Sequence, residues 1–228
     1  VIVGGKHRFF PKRELETIEY SIEDTYQGLY KELRQHLGKP RKRKLVKAPT
    51  NELSYARYGL WNYVLKDKQK QEPYNTLQRA GSNLRGLMRV LLFKRFESSV
   101  YAFQVTIERL LLVHQRFLEA LSQGFIPAGE EAQTLLSENQ SEEDVIEQDL
   151  MDELHRVSVK YDLADFNAER LQQHIEHDIN LLQKIQQLVE PITPDKDTKL
   201  QTLKKWLSKP ALKDKKVIIF TQFSDTAK

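Results

Sequence analysis

Residues Lys216–Lys228 read KVIIFTQFSDTAK. A charged approach gives way to the apolar run Val217–Phe220, then to a polar turn and the start of a helix. That order predicts a buried parallel strand. It would deliver Thr221, Gln222 and Ser224 to the carboxyl edge of an α/β sheet, where such sheets hold ligands. Arg85 and Arg89 are a second candidate, sharing a helix face at i, i+4 with Lys94 and Arg95 close by. Such a stripe could grip phosphates while aromatic rings stack bases; it also fits plain helix surface or ion pairs to an acidic segment. Thirdly, Lys39, Arg41, Lys42, Arg43, Lys44 and Lys47 crowd one loop with no acid between them. They could attract phosphate or simply form a solvated, self-repelling loop.

Other chemistry is less well supplied. A P-loop needs glycines that free backbone N–H groups, then Lys and Ser/Thr for phosphate and Mg²⁺; Gly4-Gly5-Lys6 has neither the spacing nor the hydroxyl. No acidic pair follows a buried strand, so ATP hydrolysis by this chain alone is not expected. His174 and His177 stand three apart with Glu176 and Asp178 beside them, but nothing nominates a third zinc ligand. His114 lies on an apolar seam, as a packed core histidine would. Ser98-Ser99 lacks a histidine partner in sequence and nominates no nucleophile.

The elements that must position these residues are mostly helical. Charged residues are 30% of the 228 and hydrophobic ones 39%, which suits a helix-rich chain with a modest core; only 9 Gly and 8 Pro argue against long β-meanders. Cysteine is absent, so disulfides and thiolate metal sites are excluded. No apolar run nears the roughly 20 residues that span a bilayer, and the start VIVGG shows no basic leader. A cytoplasmic location is the expectation.

Arg13–Tyr20 alternates and predicts a strand. Ser21 caps a helix through Ile22, Tyr26, Leu29, Tyr30, Leu33 and Leu37, stopped by Gly38 and Pro40. Leu53–Leu65 reads as a helix with the stripe Tyr55, Tyr58, Trp61 and Val64. Gln71–Phe96 reads as helix, broken near Gly81. From Ser98 to Leu121, Val100, Phe103, Ile107, Leu110, His114, Phe117 and Leu121 recur at three and four residues, a seam for another helix. Gly129–Glu153 holds ten acids and no Lys or Arg; 128–143 reads as a loop and 142–157 as a short acidic helix. Asn167 caps a helix over Leu171–Val189, and Thr198–Leu207 forms a short amphipathic one.

Three stretches, in order, resemble the Swi/Snf-type helicase-like ATPases. Phe10-Pro11-Lys12-Arg13, then ELETIEY and IEDTYQGLYKEL, is similar to that family's Leu-Pro-x-Lys turn, strand and helix, with Phe10 for Leu and with Gln27 and Tyr30 one residue closer than usual. LLFKRFESSVYAFQVTI resembles the bacterial HepA-like branch, where a Lys-Arg-x-Glu-Ser-Ser run precedes a long helix. Lys199–Leu203 and KKVIIFTQFSDTAK resemble the helix opening the second motor lobe and helicase motif IV. The resemblance implies a parent with two RecA-like lobes, ATP and Mg²⁺ bound between them, and duplex nucleic acid lying across both. Thr221, Gln222 and Ser224 would then face the phosphate backbone, which such donors hold without reading sequence.

The expected architecture is therefore mainly α, a helical bundle with short β segments near both termini, from a two-lobed RecA-like motor. Residues 1–20 would leave the first lobe. Residues 21–195 would form a helical protrusion with an acidic insert near 128–165, and 196–228 would begin the second lobe. The expected role is duplex engagement and lobe coupling, without catalysis or cofactor in this segment and without a membrane. Nucleic-acid contacts fall to Thr221, Gln222, Ser224, Arg41, Lys42, Arg43, Lys44, Arg85 and Arg89. DNA and the remaining motor lobes are the expected partners. Alternatives are a self-contained helical module binding protein through the Val100–Leu121 seam, or a metal-dependent enzyme using His174 and His177.

Overall fold

A computed structural model describes residues 2–3, 6–7, 15–38, 51–126, 161–212 and 215–227. The chain is mainly helical, as the composition and periodicity predict. Its helices are α1 (Ile22–Tyr26), α2 (Tyr30–Leu37), α3 (Tyr74–Ser98), α4 (Val100–Ser122), α5 (Ala168–Val189) and α6 (Thr198–Leu207). Two short antiparallel pairs accompany them. One joins β1 (Ile2–Val3) to β2 (Lys6–His7). The other joins β3 (Phe125–Ile126) to β4 (Tyr161–Asp162), with Ile126 opposite Tyr161.

The core forms where α4 lies between α5 and α3. Phe103, Ile107 and Phe117 of α4 and Leu171, Ile175, Ile185 and Val189 of α5 are fully enclosed. With Leu110 and His114 between them in α4, and Asp178 and Leu182 in α5, the buried positions recur at three or four residues, so one largely apolar stripe meets another. The seam expected along α4 is thus filled from within the chain, and His114 is buried in it.

Helix ends follow local chemistry. The Ser21 hydroxyl accepts from Asp24 N–H at 3.1 Å, Ser99 from Ala102 at 3.0 Å and Asn167 from Arg170 at 3.0 Å, each satisfying a donor that the first helical turn leaves open. The single helix expected from Ser21 to Leu37 is instead two. Gln27 and Gly28 take φ of 50° and 88°, a left-handed corner that glycine tolerates. Conversely, α3 runs unbroken through Gly81, where a side-chain Cβ would sit 3.3 Å from the Tyr58 carbonyl oxygen. Glycine there allows close approach rather than a break.

Three further expectations are corrected. Residues 55–64 form two 3₁₀ turns, Ala56–Tyr58 and Leu60–Tyr63, not an α-helix. The cause is distant in sequence: Asp178 of α5 accepts from Ser54 N–H at 2.6 Å, Ser54 Oγ at 2.8 Å and Ala56 N–H at 3.2 Å. Those bonds hold the segment in another path, with Tyr55 at φ 54°. Residues 15–20 of the predicted first strand join no sheet among the described residues, and Leu15 is 91% exposed. Val217–Phe220 is likewise neither buried nor paired; its side chains are 45–90% exposed. Alternation and apolarity mark a segment able to join a sheet, but pairing needs a neighbour. The acidic segment expected at 128–157 lies outside the described residues, as do Pro40 and Pro127.

Candidate functional site

The corner between α3 and α4 gathers the stretches that the sequence singles out. Helix α3 ends at Ser98, Ser99 turns extended, and α4 starts at Val100. The last carbonyls of a helix have no partner within it. Here side chains from far along the chain supply them. Tyr26 OH donates to the Phe96 carbonyl at 2.7 Å and Tyr20 OH to that of Glu97 at 3.4 Å. Lys199 Nζ donates to Ser98 O at 2.6 Å and Glu97 O at 3.3 Å. A cation at a helix C-terminus also complements its dipole. Burial lowers the pKa of Lys199, and Asp197 opposes that shift.

Aromatic packing reinforces the corner. The Tyr30 ring stacks on Phe96 with centroids 5.2 Å apart, and Tyr26 lies 4.4 Å from the same ring. Helix α6 is pinned to α1 beside it: Thr198 Oγ1 donates to Ser21 O at 2.6 Å and Thr198 N–H to Thr25 Oγ1 at 3.1 Å.

On its other side the corner holds residues 223–226. Arg95 Nη1 donates to Asp225 Oδ2 at 2.9 Å, and Arg109 Nη1 donates to the same oxygen at 3.2 Å. Phe223, 1% exposed, lies under the Arg95 guanidinium at 4.6 Å. Thr226 Oγ1 lies 3.1 Å from Ser98 Oγ and 3.3 Å from Ser99 Oγ. Ser99 therefore caps α4 while both serines meet Thr226 of the turn Ser224–Thr226, a role the sequence alone does not disclose.

The predicted site residues are placed unevenly. Thr221 and Gln222 are exposed beside the exposed apolar run, and Ser224 opens the 3₁₀ turn. Arg41, Lys42, Arg43 and Lys44 lie outside the described residues. Arg85 and Arg89 are half-buried. The Arg89 guanidinium sits over the Tyr55 ring at 4.9 Å, and burial lowers the pKa of Arg85. These two arginines pack as well as present charge. Arg109, Asp225 and Thr226 are the residues that sequence reasoning missed, and Arg95, noted there beside a possible phosphate-gripping stripe, pairs with Asp225 instead.

The histidines are engaged elsewhere. His174 Nδ1 lies 2.7 Å from Tyr63 OH, and His177 Nε2 lies 3.0 Å from the Glu52 carbonyl. Among the described residues no group of three or more His, Asp or Glu is placed to hold a metal ion. His114 Nδ1 meets the Leu110 carbonyl at 2.7 Å; burial, then the Arg57 charge, push its pKa down to about 4. Burial pushes Asp178 up to about 6 against the pull of its three donors. Among the described residues no helix is long and apolar enough to cross a membrane.

No protein-family model matches the chain, and no curated protein or solved structure matches it.

Proposed function

We propose that the chain is the helical segment between the two lobes of a bacterial helicase-like, nucleic-acid-dependent ATPase, serving duplex engagement and lobe coupling. The carrying observation is the convergence on the α3–α4 corner. Tyr20, Tyr26 and Tyr30 from the first stretch, Arg95–Ser99 from the second, and Lys199 with Phe223–Thr226 from the third meet there. Segments that resemble one family separately also form one packed unit. In this reading ATP and Mg²⁺ bind in the parent protein, outside this segment, and the location is cytoplasmic.

The exposed run Val217–Phe220 then pairs within the sheet of the second lobe. That leaves Thr221 and Gln222 at the strand's end with hydroxyl and amide donors for phosphate. Arg41, Lys42, Arg43 and Lys44 add sequence-independent, salt-sensitive affinity, while Arg85 and Arg89 mainly brace the body. Movement of the lobes on ATP reaches the helical body through the corner, since α1, α3, α4 and α6 are tied there.

Fluorescence anisotropy with a labelled DNA duplex tests this. At about 50 mM salt the chain binds, and the variant Arg41→Ala/Lys42→Ala/Arg43→Ala/Lys44→Ala binds roughly tenfold more weakly with a flatter salt dependence. Equal binding by the variant contradicts the assignment of these cations.

A further inference from the structure

We propose that the α3–α4 corner is a peptide-recognition site for an aromatic-Ser-Asp-Thr turn, filled in this structure by the chain's own Phe223–Thr226, and that this arm docks and undocks as a unit. This goes beyond the motor reading and does not depend on it.

The corner recognises three features at once. The aromatic ring of Phe223 is enclosed under the Arg95 guanidinium at 4.6 Å. The Asp225 carboxylate accepts from Arg95 and Arg109 at 2.9 and 3.2 Å. The Thr226 hydroxyl meets those of Ser98 and Ser99. Charge-assisted bonds from two guanidinium groups discriminate strongly for a carboxylate. Arg95 is a built element of the site, being 1% exposed, whereas Arg109 on its rim is 28% exposed.

The approach to the turn looks quite different. Residues 215–222 are all exposed. Among the described residues their only hydrogen bonds are local, from Lys215 N–H to Leu212 O and between Thr221 and Phe223. Among the described residues the arm is thus tied to the body through Phe223–Thr226 and not through residues 215–222. Such a segment opens locally without unfolding the body, and its short tether keeps the turn at high effective concentration near the corner. Whatever engages residues 217–222 therefore competes with, or is reported to, the α3–α4 corner.

The test supplies the turn in trans. The full chain carrying Phe223→Ala and Asp225→Ala has an empty corner. A blocked peptide spanning Thr221–Lys228 should bind it saturably, shifting the backbone NMR signals of Arg95, Ser98, Ser99 and Arg109. The same peptide with Asp225→Asn should bind roughly tenfold more weakly. The wild-type chain, its corner already filled, should respond much less. No response from the double variant, or equal binding of both peptides, overturns the proposal. Hydrogen exchange on the wild-type chain gives an independent reading that needs no variant. The Thr226 amide should exchange well before those of Ile107 and Leu110 in α4; exchange of all three only by global unfolding overturns the unit-undocking claim.

Discussion

Arg95 and Asp225, 130 residues apart in sequence, form an ion pair at 2.9 Å in which neither side chain is more than 4% exposed. An ion removed from water this completely depends on its partner. Asp225→Asn keeps the shape and removes the charge. A trapped, unpaired charge costs about 3–5 kcal/mol, but here the arm can lift away and let water reach Arg95. The expected outcome is faster exchange of the Thr226 amide with little change at Ile107. Asp225→Asn combined with Arg95→Met should recover part of the protection, because the stranded cation is gone. Unchanged exchange in Asp225→Asn would show that the pair does not hold the turn.

His114 and Asp178 make opposed predictions over one pH range. Burial, then the Arg57 charge, push the folded pKa of His114 down to about 4, below the ordinary imidazole value of about 6.5. The folded state binds fewer protons in that window, so His114 makes stability rise with pH. The folded pKa of Asp178 is about 6 against 3.8. The folded state binds more protons there, so Asp178 makes stability fall as pH rises. At about 1.4 kcal/mol per pKa unit each swing is about 3 kcal/mol, and the two largely offset. Urea unfolding from pH 4 to 6.5 should show the falling slope in His114→Phe and the rising slope in Asp178→Asn, each relative to wild type. Parallel profiles for both variants would contradict the burial of these groups as charge-excluding sites.

Ile218 and Phe220 are 77% and 90% exposed. Lysine at either position should change unfolding free energy by no more than about 0.5 kcal/mol. It should also suppress self-association through an unpaired apolar strand. Light scattering and thermal melts check both points. A large loss of stability would mean the run is buried within this chain.

Where sequence and structure agree, the signals are local. Ser21 and Asn167 cap the helices they precede, the α4 stripe is the core seam, and α6 spans Thr198–Leu207 as its periodicity requires. Each depends on residues within a few turns of one another. The misses have distant causes. Residues 55–64 carry a helical stripe, but Asp178 bonds Ser54 and Ala56 from more than 120 residues away. Gly81 resembles a helix breaker until the Tyr58 carbonyl is placed against it. Arg95 reads as part of a phosphate-gripping stripe, as helix surface or as a partner for the acidic segment, because the sequence does not disclose its partner, Asp225. For the candidate site, the order of the three stretches was legible, and their meeting at one corner was not.

The most direct test of the account is anisotropy titration of the wild-type chain with two DNA duplexes of unrelated sequence, across about 50 to 200 mM salt. It predicts equal affinity for both duplexes at each salt concentration and a steep fall as salt rises, the signature of phosphate contacts without base reading. No binding at the lowest salt, or a marked preference for one sequence, would contradict it.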